Sequence, residues 1–191
     1  MRRGSVLVLA VALFVIMTGG AAGVPAQTAA AQPAVPSASS SSAFVKDFQE
    51  HWTTAKGLAV AVAEAMPEGD YAFKPNADEM SFGQQITHIT QANYGYCAFL
   101  ADAKSPFTAP SADAKPDKAA AVKQLGESFD YCSAALAKVA DADLDKKHGS
   151  GDRQFAARDV ILGLLVHMAH HRGQVEVYLR LKGIVPPKYQ W

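Results

Sequence analysis

A chain of 191 residues with 18 basic and 18 acidic side chains has zero formal net charge at pH 7, which leaves no basic excess for a nucleic-acid partner. Apolar residues make up 49% of it and cysteine occupies two positions. That composition excludes a disulfide-dense mini-domain and a wholly disordered chain.

In chain order, Arg2 and Arg3 precede an uninterrupted apolar run from Val6 to Met17 and then small residues from Thr18 to Gly23. This is the pattern of a secretory signal peptide, and the run falls short of the roughly 20 apolar residues a membrane span requires. Residues 1–28 are therefore expected to be a signal peptide and the protein to be exported, periplasmic or extracellular. An uncleaved anchor is the alternative, because Gly19 to Val24 extend the apolar stretch. Residues 29–43, almost entirely Ala, Pro, Gln and Ser without charge, read as a disordered linker. The remainder, residues 44–191, is long enough for one core and carries 16 basic against 18 acidic side chains.

The domain reads as all-α, four helices with no credible strand set. The first runs from about Phe44 to Met66, with Phe48, Trp52, Leu58 and Val62 on its apolar face and Pro67 beyond its end. The second begins at Ser81, an N-cap with Gln84 in capping-box position, and carries Ile86, Ile89, Tyr96 and Leu100. The third starts near Pro116 or Asp117 and continues through Leu125, Phe129, Leu136 and Val139. The fourth runs from about Ala156 to Lys182 and stops at Gly183, with Pro186 and Pro187 following. Four amphipathic helices form a bundle.

Cys97 and Cys132 define its topology. Cys97 is 16 residues after Ser81 and Cys132 is 15 after Asp117, so they share a level if helices 2 and 3 run parallel. Antiparallel packing would part them by roughly 15 Å at 1.5 Å per residue, beyond disulfide reach. The long connection from about Asp102 to Lys115 permits the return crossing. An exported location then favours an up-down-down-up bundle with a Cys97–Cys132 bridge; two buried free thiols are the alternative.

The chemistry centres on histidine. His167 and His171 are spaced i, i+4 in the fourth helix, so both can direct ring nitrogens at one ion, and the stripe Val160, Leu164, Met168, Val175 and Tyr178 points them toward the core. His88, beside the apolar positions of the second helix, is a third available imidazole. Three neutral histidines leave open positions on a zinc, nickel or similar ion; hydrogen-bonded core histidines are the competing reading. Adjacent helical residues diverge by about 100°, which sets His170 apart from the pair. His148 reads as a loop residue, Gln84, Gln91 and Gln174 as capping or orienting groups, and Arg172 and Arg180 as a solvated face or a cationic rim. Tyr94, Tyr96 and Phe99 are candidates for a substrate pocket, although aromatics at helical spacing commonly belong to the core. His51 on the first helix is a candidate general base, or else an exposed helix histidine.

Ser81-Phe82-Gly83 with His88, His167 and His171 followed by Arg172-Gly173-Gln174, then Tyr178-Leu179-Arg180 and Gly183-Ile184-Val185-Pro186-Pro187, together resemble the DinB superfamily across residues 44 to 191. The resemblance implies a four-helix bundle holding a divalent metal with one histidine of the second helix and two of the fourth, which falls here on His88, His167 and His171. It also implies homodimers as a common state. Relatives include thiol-dependent transferases and isomerases, whose thiols belong to reducing compartments; the signal pattern conflicts with that. The expected activity is therefore a metal-dependent hydrolase acting on an unidentified small molecule, with a thiol-dependent transferase or a non-catalytic metal-binding bundle as alternatives.

Overall fold

The computed structural model describes residues 42–111, 114 and 117–189. The expected signal peptide and nearly all of the linker lie outside the described residues. Four helices, α1 (Ser42–Ala65), α2 (Phe82–Leu100), α3 (Lys118–Leu136) and α4 (Ala157–Leu181), pack around one core, with a hairpin of β1 (Lys147–Ser150) and β2 (Arg153–Ala156) between α3 and α4. No described helix is long and apolar enough to cross a membrane.

Local chemistry accounts for the helix limits. Ser81 Oγ accepts from the Gln84 amide at 3.2 Å while Gln84 Oε1 accepts from the Ser81 amide at 2.8 Å, a capping box that satisfies two amides otherwise lost at a helix start. Asp117 Oδ1 caps α3 through the Ala120 amide at 2.9 Å. Gly183, at φ +73°, closes α4: its amide reaches the Arg180 carbonyl and the Ile184 amide the Leu179 carbonyl, the Schellman pattern that a glycine adopts without strain. The third helix ends at Leu136 rather than at Val139. Beyond it Ala140 is extended, and its amide is taken by the Asp143 carboxylate at 3.2 Å, which opens a separate short turn.

Helix directions follow from paired contacts. On α2 and α3, Asn93 meets Ser128 at 3.0 Å and Cys97 is disulfide-bonded to Cys132 with Cα atoms 5.2 Å apart; the two numbers rise together, so the helices are parallel. On α1 and α3 they run oppositely, since Trp52 Nε1 donates to the Phe129 carbonyl at 3.3 Å whereas Lys118 Nζ reaches back to the carbonyls of Glu64 and Met66. His88 against His167 and Gln85 against His171 make α2 and α4 antiparallel. The result is up-down-down-up. Its core joins Trp52, Tyr71, Phe82, Ile86, Leu125, Phe129, Ile161 and Leu164, all at most 1% exposed, and burying each such side chain contributes about 1.5–3 kcal/mol before ordering costs.

The hairpin departs from the all-helical expectation, and with it His148 moves from loop to buried strand. His148 is 5% exposed, and its Nδ1 lies 3.0 Å from Asp102 Oδ1. Asp102 occupies the position after the α2 C-cap where glycine is usual, at φ +50°, with Schellman bonds from the Asp102 amide to Phe99 and from Ala103 to Ala98. A left-handed non-glycine residue costs on the order of 1 kcal/mol; here it places a carboxylate where His148 and Lys146 both reach it. The His148 hydrogen bond, aided by the charges of His148 and Lys146, holds the Asp102 carboxyl below its ordinary range. Gly149 completes the docking. At φ +94° it leaves space that a Cβ would fill to within 2.1 Å of the Arg153 carbonyl oxygen and 2.8 Å of the Phe99 ring.

Candidate metal centre

Antiparallel packing of α2 on α4 brings three imidazoles together. Each of His88, His167 and His171 offers one ring nitrogen, and these atoms all lie within 4.8 Å of one another. His88 Nε2 is 3.2 Å from His167 Nε2. A tetrahedral ion with metal–nitrogen bonds of about 2.05 Å would set two such nitrogens about 3.3 Å apart, so the spacing suits a shared ion. A proton bridging the two rings would also suit it, but the His171 ring is 4.5 Å from both the His88 and His167 rings, and a single proton leaves that third ring without a role.

The tautomer of His171 is defined by Gln85, whose Oε1 lies 2.9 Å from Nδ1. An amide oxygen only accepts, so Nδ1 bears the hydrogen and Nε2 keeps its lone pair for a cation. Gln85 is 1% exposed, three residues before His88 and on the same flank of α2. Sequence reasoning singled out Gln84 and Gln91 and passed over it; the i−3 offset from His88 was the signal that could have found it. Gln84 serves the capping box, and Gln91 lines both cavities beside His88. Gln174 has a buried Oε1 without a hydrogen-bond partner among the described residues, as does His167 at Nδ1.

Electrostatics keeps the pair on α4 neutral. Burial, followed by the neighbouring His171, His88 and His170, lowers His167 from 6.5 to about 4. Burial and His88 also lower His171, with the Gln174 side chain opposing the shift. Neutral imidazoles are the metal-binding form, so the donor set fits a divalent ion at pH 7.

The other sequence candidates lie around this group. His170 is exposed and its ring stands edge-on to His171 at 4.9 Å, outside the three. Arg172 and Arg180 both turn to Glu176 rather than forming an open cationic rim. His51 is exposed on α1 and lines neither cavity that reaches His88. One cavity, about 340 Å³, lies between α2, α3 and the 109–111 loop; the other, about 730 Å³, runs between α2, α4 and the hairpin. Tyr96 and Phe99 line the larger one, as the pocket reading anticipated, while Tyr94 stacks on Phe107 at 5.4 Å.

The fold that carries this histidine group has solved counterparts. The fold is similar to that of a DinB-like protein of Bacillus cereus, with a TM-score of 0.66 and 16% identity over 76% of this chain and 97% of that one. A DinB-like protein of Bacillus subtilis gives a TM-score of 0.63 and 17% identity over 75% and 98%. No curated protein is similar to the sequence at a significant level. The sequence profile of the DinB superfamily matches residues 51–175, more than half of the length and all three histidines, and the chain belongs to that superfamily.

Proposed function

We propose that this is an exported metal-dependent enzyme, a hydrolase of a small-molecule substrate, in which His88, His167 and His171 hold one divalent ion, zinc or nickel. The observation that carries the reading is the convergence of three imidazoles from two antiparallel helices beside two cavities. A divalent ion bound in such a set supplies Lewis acidity and lowers the pKa of water toward neutrality.

The chain's own groups do the rest. Gln85 orients His171, Gln91 and Tyr96 line the approach, and Tyr96, whose ring centroid is 5.8 Å from that of His167, has no hydrogen-bond partner among the described residues. His51, exposed on α1 and lining neither cavity beside His88, is left out of the reaction in this reading. Export is supported by the signal pattern and by the Cys97–Cys132 bridge, since disulfides persist in oxidising compartments. A homodimer belongs to the same reading: Leu162, Val166, Val177 and Leu181 are about half or more exposed along α4, and Val166→Glu should sediment as a monomer.

Elemental mass spectrometry of the purified protein tests the centre. Near one divalent ion per chain, lost in a His167→Ala, His171→Ala double variant that still shows native helicity, supports it. Equal metal in both proteins, or none in either after reconstitution, overturns it. Turnover in a hydrolase screen with the loaded protein separates an enzyme from the second reading, a non-catalytic metal binder.

A further inference from the structure

The larger cavity is elongated and chemically graded. His88 and Gln91 line one end. Eleven residues along α2, or roughly 16 Å at 1.5 Å per residue, Phe99 lines the other, where it meets Phe155 of the hairpin at 6.2 Å. Tyr96 and Gly163 form the middle, and the two are matched: a Cβ on residue 163 would stand 3.3 Å from the Tyr96 ring, so glycine keeps the passage between α2 and α4 open.

Two opposite charges lie at the hairpin end. Arg153 on β2 and Asp159 in the first turn of α4 both line the cavity, and neither joins an ion pair among the described residues. Other charged side chains nearby are committed: Arg158 pairs with Asp145, and Lys146 with Asp102. A guanidinium left free in an aromatic-walled cavity is a ready partner for a carboxylate, which it binds in a two-pronged fork. The carboxylate of Asp159, lining the same cavity, offers a partner to an ammonium. Both side chains are solvent-exposed, and Asp159 also complements the α4 dipole.

We infer that the cavity takes a molecule with an apolar or aromatic body and an amino-acid-like zwitterionic end, its carboxylate on Arg153 and its ammonium on Asp159, extending toward the imidazole group. This deepens the proposed function and rests on it for which end of the molecule reacts. The recognition itself is remote from the three histidines, so it is testable with and without metal.

Three probes share a phenyl body: homophenylalanine (zwitterion), 4-phenylbutanoate (anion) and 3-phenylpropylamine (cation). Chemical-shift titrations of the zinc-loaded and the metal-free full chain should show homophenylalanine binding tightest. Arg153→Gln should weaken homophenylalanine and phenylbutanoate roughly tenfold, the size of one charge-assisted contact, and leave phenylpropylamine unchanged. Asp159→Asn should weaken homophenylalanine and phenylpropylamine and spare phenylbutanoate. Equal binding of all three probes, no saturable binding, or a loss in either variant that ignores probe charge overturns the inference. Zinc content read on the same samples keeps the two readings apart: zinc bound without charge discrimination sinks only this inference, whereas discrimination without zinc supports it and sinks the metal centre.

Discussion

Gln85 Oε1 stands 2.9 Å from Nδ1 of His171 across the α2–α4 interface, and that one contact sets the tautomer on which a cation at Nε2 depends. Such partners of metal-binding histidines typically carry 10- to 100-fold in affinity. Gln85→Leu should therefore weaken zinc binding by roughly 10- to 100-fold in a competition with a chelator of known affinity, while the far-ultraviolet circular dichroism of the bundle stays native. Unchanged affinity would remove Gln85 from the site.

The bridge between Cys97 and Cys132 closes a sequence separation of 35 residues. Constraining a loop of that size raises the free energy of the unfolded chain by about 4 kcal/mol in the chain-entropy account. A Cys97→Ser, Cys132→Ser double variant should lose about 2–4 kcal/mol in urea unfolding, and reductant should lower the Tm of the native protein but not that of the variant.

Acid should destabilise the metal-free protein through His167. Its pKa is depressed in the folded state to about 4 from 6.5, so between these values the unfolded chain takes up a proton that the folded one refuses. The contribution is fully present above pH 6.5 and is lost as pH falls through about 4. His171 moves in the same direction. Urea midpoints at pH 7 and pH 5 should differ more for the native protein than for His167→Gln; identical pH dependence would mean that His167 titrates normally.

Gly149 has no room for a methyl group beside the Arg153 carbonyl and stands at a φ of +94°. Gly149→Ala should cost about 1–3 kcal/mol and loosen the hairpin from Phe99, with faster amide exchange across β1 and β2 than in α1. A substitution that leaves both stability and exchange unaltered would show that the hairpin absorbs the added atom freely.

Much of the scaffold is legible in the linear chain because its causes are local. A capping box needs residues three apart, and Ser81 with Gln84 starts α2 where the spacing predicts. Gly183 ends α4 and Asp117 begins α3 for equally short-range reasons. The i, i+4 relation of His167 and His171 is likewise a property of one helix. The counts from each helix start to Cys97 and Cys132 even carried the parallel pairing of α2 with α3, since helical rise turns residue number into height.

What the chain could not display is whatever depends on how one element lies on another. His88 meets His167 across 79 residues and Gln85 meets His171 across 86, separations at which no periodicity operates. The hairpin escaped notice because its four-residue strands are shorter than the window in which alternation becomes visible, and His148 is buried only because that hairpin folds onto the end of α2. Four helices, most of their limits and a metal-type histidine pair are written in the chain, because backbone hydrogen bonds and caps act within a few residues; the end of α3 at Leu136 is not. Side-chain packing between helices, which sets their offset and rotation, is what brings a third imidazole, an orienting glutamine and a graded cavity to one place.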